Sequence, residues 1–348
     1  MSHQYTNNKK KVGKHIGSDK VLVTSLLDEM KSGREYESLL NCRVEGFNFT
    51  EEIRRSLKEI ESIRQRPIIC YACNIINQKL TSAPSIDDQD DLPFSELLST
   101  LDTQDKYIDV VLITGGGSGQ QVQRFVERLR RQFDDVSFIL PYKAMSAGTM
   151  FIMSGDEIVM GPNSCFGPID PQFIGENGQY FPGQALINLI EVIRDRGAVK
   201  LNQGQDPDWT DLQILSLLDY NLVGHVHTAS DFSRNLVEDY LYRHKFKNWK
   251  THIKSGTVVT DSERKQVAEK IAKELCNHRR WNDHGSGINI NTARELGLLI
   301  TSTEDIPNLE NAVRRFWALL HWIFEFTSVA KLYISNNYCV ARSEQPQK

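Results

Sequence analysis

The stretch VSFILPYKAMSAGTMFIMSGDEIVM, residues 136–160, carries the pattern that decides the fold. Val136 to Leu140 is a short apolar run closed by Pro141, as in a buried strand; Ala147 to Ser154 has helical character, and Glu157 to Met160 returns to strand. Ser146 stands where strand gives way to helix, with Met145, Ala147 and Gly148 around it. At a helix start the first N–H groups have no partner within the helix. A serine there is in most proteins a cap. Crowding it with small residues has a different consequence, because a bulky ligand group can then reach the hydroxyl.

Working outward, the strand Asp109 to Thr114 ends in GGGSG (115–119), and Gln120 to Phe133 follows as a helix. Glycine lets the backbone approach a ligand closely, and N–H groups at a helix start favour negative charge. A phosphate-binding turn is the alternative for GGGSG, but the Lys-Ser/Thr ending of a P-loop and the GxGxxG spacing of a dinucleotide turn are both missing. Ile68 to Ile76 supplies a further strand, so strand and helix alternate and the class is α/β. The insert SAPSIDDQDDLPFSELL (83–99) is expected as a loop, with its acidic run facing solvent, followed by a helix. The CYAC of Cys70 and Cys73 lies in an apolar stretch with no second pair at metal spacing, which points to strand packing.

Four segments follow: a disordered basic arm over 1–18, a helical extension over 19–66 with Thr50 as a helix cap, the main domain over 67–304, and a helical segment with a tail over 305–348. The last contains NLENAVRRFWALLHWIFEF, suited to docking on the body or on another subunit, with peripheral membrane contact as the alternative. With 348 residues, 25% charged and a formal net charge of -4, the chain has no basic excess for nucleic acid, which is not expected as a partner. No apolar run reaches the roughly 18 to 20 residues of a membrane span, and the N-terminus lacks a signal peptide's apolar segment. A cytoplasmic protein with reduced cysteines and no integral membrane segment is expected, and nothing calls for a metal or cofactor.

The run ITGGGSG, a helix, and then VSFILPYKAMSAGTMFIMSGDEIVMGPNSCFGPIDPQ resembles the serine dehydrogenase proteinase family, a branch of the Clp protease, signal peptide peptidase A and crotonase superfamily. The resemblance is continuous from about Asp109 to Pro182 and continues more weakly through WNDHGSGININTARELGLLI (281–300). It implies a Clp/crotonase-like β/α superhelix, here with helical N- and C-terminal extensions, and a serine peptidase that passes through an acyl-enzyme. Carried over by residue, it implies Ser146 as nucleophile, Gly117 and Ala147 as oxyanion-hole donors, and Gly116 as the companion glycine. A peptide or protein substrate and a homo-oligomer follow from the same likeness.

The proton acceptor does not carry over. Clp proteases place a histidine at or beside the position of Asp170, where this chain has none. Signal peptide peptidase A uses a lysine, and Lys200 lies 54 residues after Ser146. An ammonium acts as a base only where burial helps it to lose its proton. His284, in NDHGSGI, is the second candidate, since imidazole titrates near neutrality unaided. Lys143 is a further option, the His225/His227 pair lacks a clear third ligand for a metal, and Asp156 and Asp170 could orient a base or hold a loop. Against the peptidase stand a catalytically silent scaffold, favoured by the missing Clp-type histidine, and a crotonase-like acyl-thioester enzyme, which needs a carboxylate base.

Overall fold

The computed structural model describes residues 25–41, 48–77, 84–101, 104–175, 179–252, 255–281 and 283–343, so the arm expected over 1–18 lies outside the described residues. Three helices come first, α1 (Leu26–Glu29), α2 (Glu35–Asn41) and α3 (Phe49–Arg64). Asn48 caps α3 through its side chain, which accepts from the Thr50 N–H at 3.1 Å. Thr50 is therefore not the cap: the helix starts one residue before it, and its N–H is one of the orphan donors that need an acceptor.

Strands and helices then alternate as β1 (Ile68–Cys73), α4 (Asp91–Ser99), β2 (Tyr107–Ile113), α5 (Gly119–Gln132), β3 (Asp135–Leu140), β4 (Lys143–Ala144), α6 (Ala147–Met153), β5 (Glu157–Met160) and β6 (Cys165–Phe166). β7 (Gln172–Ile174) and β8 (Tyr180–Pro182) pair antiparallel. Six helices follow: α7 (Gly183–Asn202), α8 (Trp209–Ser216), α9 (Tyr220–Tyr240), α10 (Asp261–Leu275), α11 (His278–Trp281) and α12 (Ile290–Leu296). β9 (Thr301–Ser302), α13 (Leu309–Phe326), β10 (Val329–Ser335) and β11 (Cys339–Ser343) close the described chain.

Seven strands form one sheet in the order β11-β10-β1-β2-β3-β5-β9, parallel from β1 to β9, with β10 and β11 added antiparallel at one edge. Because side chains alternate across a strand, β1 feeds two cores. Ile68, Cys70 and Ala72 pack with α3 and α13, while Ile69, Tyr71 and Cys73 pack on the opposite face with α4 and α5. The two cysteines are thus core residues, and burial raises both thiols, Cys73 to about 11.

Residues 305–343 hold a helix and two sheet strands, where the sequence suggests only a helix and a tail. In β10, Lys331 looks like a solvent residue, yet it is buried and its ammonium lies 2.7 Å from carboxylate oxygens of both Asp87 and Asp90. The acidic run is accordingly not all solvent-facing: Asp90 is completely buried and also accepts from the hydroxyls of Tyr71 and Tyr333. The apolar face of α13, including Leu309, Phe316, Leu320 and Ile323, is spent on α3 and the sheet, which removes the face that membrane contact would need.

Candidate active site

Two turns meet at the C-terminal ends of the parallel strands, the usual place for a site in open α/β sheets. The turns are stitched together by Thr114, whose N–H donates to Lys143 O at 2.9 Å and whose carbonyl accepts from Met145 N at 3.0 Å. Gly116 and Gly117 have φ of +118° and +134°, a region that favours glycine. Beside them runs Ile86: its N–H donates to Gly116 O and its carbonyl accepts from Ser118 N, both at 2.8 Å. In this parallel bridge the paired residue's own N–H faces away from Ile86, and the Gly117 N–H has no acceptor among the described residues. A Cβ on Gly117 would lie 2.3 Å from Ile86 O, so only glycine fits.

Ser146 is half-buried with φ 51° and ψ -116°, and as the residue before α6 it makes no side-chain cap bond. A non-glycine residue in such a conformation costs about 1–3 kcal/mol, held by its surroundings. Those surroundings include Gly148 N donating to Met145 O, and Thr149 Oγ1, which lies 2.9 Å from the carbonyls of both Ala144 and Gly167. Gly116 packs so closely that a Cβ there would lie 2.7 Å from Ser146 Cβ. Ala147, fully buried, opens α6, and its N–H also lacks an acceptor among the described residues.

The closing segment reaches this site from far along the chain. Ile288 forms an antiparallel bridge with Phe166 in β6, and Ser286 Oγ donates to Trp281 O. His284 is thereby held with Nδ1 2.8 Å from Asp170 Oδ1. Asp170 is 1% exposed, and its other oxygen accepts from Gln172 Nε2 at 3.0 Å and lies 3.3 Å from His278 Nδ1. With Nδ1–H donated to the carboxylate, the imidazole presents Nε2 as its acceptor. Ser146, Gly116, Gly117 and His284 line one cleft of about 1230 Å³, with Phe232 and the exposed His225 on the wall that α9 provides.

The other lysine and histidine candidates lie elsewhere. Lys200 is outside the cleft lining, near the end of α7, and is ion-paired with Asp208. Lys143 sits over the Tyr142 ring at 5.0 Å, and His227 is exposed on α9. Ile86 is a residue for which the sequence offers little signal: it is the first large apolar residue of the insert 83–99, ahead of its acidic run.

Residues 85–204 match the sequence model of the family described as ClpP-like SDH-type serine proteinase. Two uncharacterized proteins of Methanocaldococcus jannaschii are similar to the chain. MJ0137 is 27% identical over 195 residues, 56% of this chain and 54% of that protein, and MJ1495 is 34% identical over 80 residues, 23% and 26% respectively. The chain therefore spans about half the length of the first and about a quarter of the second. Among solved structures, ClpP1 from Listeria monocytogenes aligns with a TM-score of 0.36 at 10% identity, over 70% of this chain and 93% of that one. The membrane-bound stomatin-specific protease 1510-N aligns at 0.26 and 20% identity, over 32% and 57%. The family match takes in Ile86, both glycine-lined turns, Ser146 and Asp170 and stops before His284, so that about a third of the chain is similar to the ClpP-like SDH-type serine proteinases.

Proposed function

We propose that the protein is a serine peptidase in which Ser146 is the nucleophile, His284 the general base and Asp170 the carboxylate that orients it. The observation that carries this reading is the His284–Asp170 contact on the wall of the cleft that also holds Ser146. Ser146 Oγ bonds to the peptide carbonyl carbon while its proton passes to His284 Nε2, and the N–H groups of Gly117 and Ala147 stabilise the oxyanion. The C–N bond breaks as His284 returns the proton to the leaving amine, and water then releases the acyl group by the same steps in reverse roles.

A desolvated, unpaired lysine would be needed for the Lys200 alternative, and the Asp208 pair together with its place outside the cleft speak against it. Fluorophosphonate labelling read by intact mass tests the assignment. The wild type should label, Ser146→Ala and His284→Ala should not, and Lys200→Ala should label as the wild type does. Labelling lost in Lys200→Ala and kept in His284→Ala would reverse it. A folded wild type that never labels would favour the silent scaffold, and saturable coenzyme A binding would favour the acyl-thioester enzyme.

Self-association belongs to the same proposal, as does a cytoplasmic setting. Support for self-association comes from α7 and α8, where Leu201, Trp209 and Leu212 stay exposed, and from Leu217 just beyond them, 85% exposed. Sedimentation should show an oligomer that Trp209→Glu weakens; a monomeric wild type at micromolar concentration would overturn this part.

A further inference from the structure

A second cavity, of about 670 Å³, opens at the far end of α6 from Ser146, between the start of β5, the segment 297–301 and the turn that follows α9. That turn, Leu241–Lys245, is π-helical, with Phe246 N donating to the carbonyl of Leu241 at 2.8 Å. Such turns are rare and often mark functional sites. Here it carries Lys245 to the cavity wall at 7% exposure. An ammonium has three donors. Lys245 Nζ makes one long hydrogen bond, 3.3 Å to Asp156 O, and its other donors have no acceptor among the described residues.

The neighbouring carboxylates act on it at a distance but form no ion pair with it. Asp156 is taken by Arg130 at 2.7 Å, Lys247 at 2.5 Å and the Val136 N–H at 2.8 Å. Glu157 is taken by Arg64 at 2.5 Å, Thr301 at 2.8 Å and Ser137 at 3.1 Å. Arg294 and the exposed Lys250 also line the cavity, with Arg294 donating to Ile300 O at 2.9 Å. Asp156 and Glu157 are thus already engaged by Arg130, Lys247 and Arg64, the last shared with Asp109, while Lys245 and Lys250 add positive charge beside Arg294, which lies 3.8 Å from Asp305. A buried ammonium without a partner is costly unless a counter-charge arrives.

We propose that this cavity binds a small anion, a carboxylate or a phosphate ester, with Lys245 as its buried contact and Arg294 and Lys250 at its rim. Burial pulls the Lys245 amine down to about 8, against the opposing pull of Glu157 and Asp156. An anion should therefore bind more weakly as pH rises from 7 to 9, a range in which His244, pulled down to about 4, stays neutral; the other charged groups around Lys245 are Asp156, Glu157, Arg130, Lys247, Lys250 and Arg294. Titration calorimetry on the full chain, with inorganic phosphate and with citrate as separate probes at fixed ionic strength, tests this and tells the two chemistries apart.

One probe should bind saturably, with affinity at least tenfold lower in Lys245→Met; for citrate, whose own charge is nearly constant over this range, affinity should also be lower at pH 9 than at pH 7. Arg294→Gln provides a second variant should Lys245→Met fail to fold, and it too should weaken binding. No saturable binding of either probe by the folded wild type, or affinity indifferent to both substitutions and to pH, overturns the proposal. Fluorophosphonate labelling on the same sample keeps this outcome separate from that of the peptidase reading, since Ser146 lies at the other end of the helix.

Discussion

The two ends of α6 are built on opposite plans. At its N-terminal end Ser146 holds a strained backbone, and the N–H groups of Gly117 and Ala147 are left without acceptors among the described residues. Past its C-terminal end, the carboxylates of Asp156 and Glu157 are surrounded by cations and donors. Burial raises both, but Arg130 and Lys247 around Asp156, and Arg64 around Glu157, outweigh it and hold them below the usual carboxylate range. Unsatisfied donors and strain cost stability and are kept where charge must develop. Paired charges at the opposite end, joined by Arg64 and Arg66 on the fully buried Asp109, anchor the sheet without touching the cleft.

The sharpest break of that contrast is Ser146→Ala, which should lower peptide hydrolysis by about 10⁴-fold or more while leaving thermal unfolding intact. Asp170→Asn should come next, with a loss of about 10³ to 10⁴ in labelling rate and a folded protein, because the wrong histidine tautomer is then favoured. A rate within twofold of wild type would remove Asp170 from the mechanism.

At the other end the effects should fall on stability. Arg64→Met strands Asp109 and Glu157 with fewer partners, for an expected loss of about 3 kcal/mol in urea unfolding, with unchanged labelling per folded molecule. An unchanged unfolding midpoint would show that Arg66 suffices alone. Acid should act at this end too. Burial, followed by Arg130, pulls His244 down to about 4, so between that value and its ordinary 6.5 the unfolded chain binds the extra proton. Stability from this group is full above about 6.5 and is lost as pH falls towards 4, an effect of about 2 to 3 kcal/mol. His244→Gln should flatten that slope. The smallest effect should come from Lys200→Ala, less than twofold on labelling, and a larger one would bring the lysine back into contention.

Much of the fold could be read locally. The apolar runs at Val136–Leu140 and Glu157–Met160, the glycines of 115–119 and the serine before a helix each have a signature within a few residues, because strand alternation, helix caps and left-handed glycine are short-range properties. β10 leaves a weaker trace because Lys331 and Ser335 interrupt its apolar pattern, and the carboxylates of Asp87 and Asp90 make such a lysine acceptable inside a sheet.

By itself, then, the sequence determined the α/β alternation, the turn that carries Ser146 and the glycines that precede α5. Tertiary structure alone decided which histidine stands by the cleft beside a carboxylate, since His284 and Asp170 are 114 residues apart and meet where Ile288 pairs with Phe166. It also decided that Ile86 fixes the glycine turn and that Lys245 is buried. Hydrogen-bond partners across a folded sheet leave no periodic trace in the chain that carries them, whereas the backbone conformations that make strands, helices and turns are written into neighbouring residues.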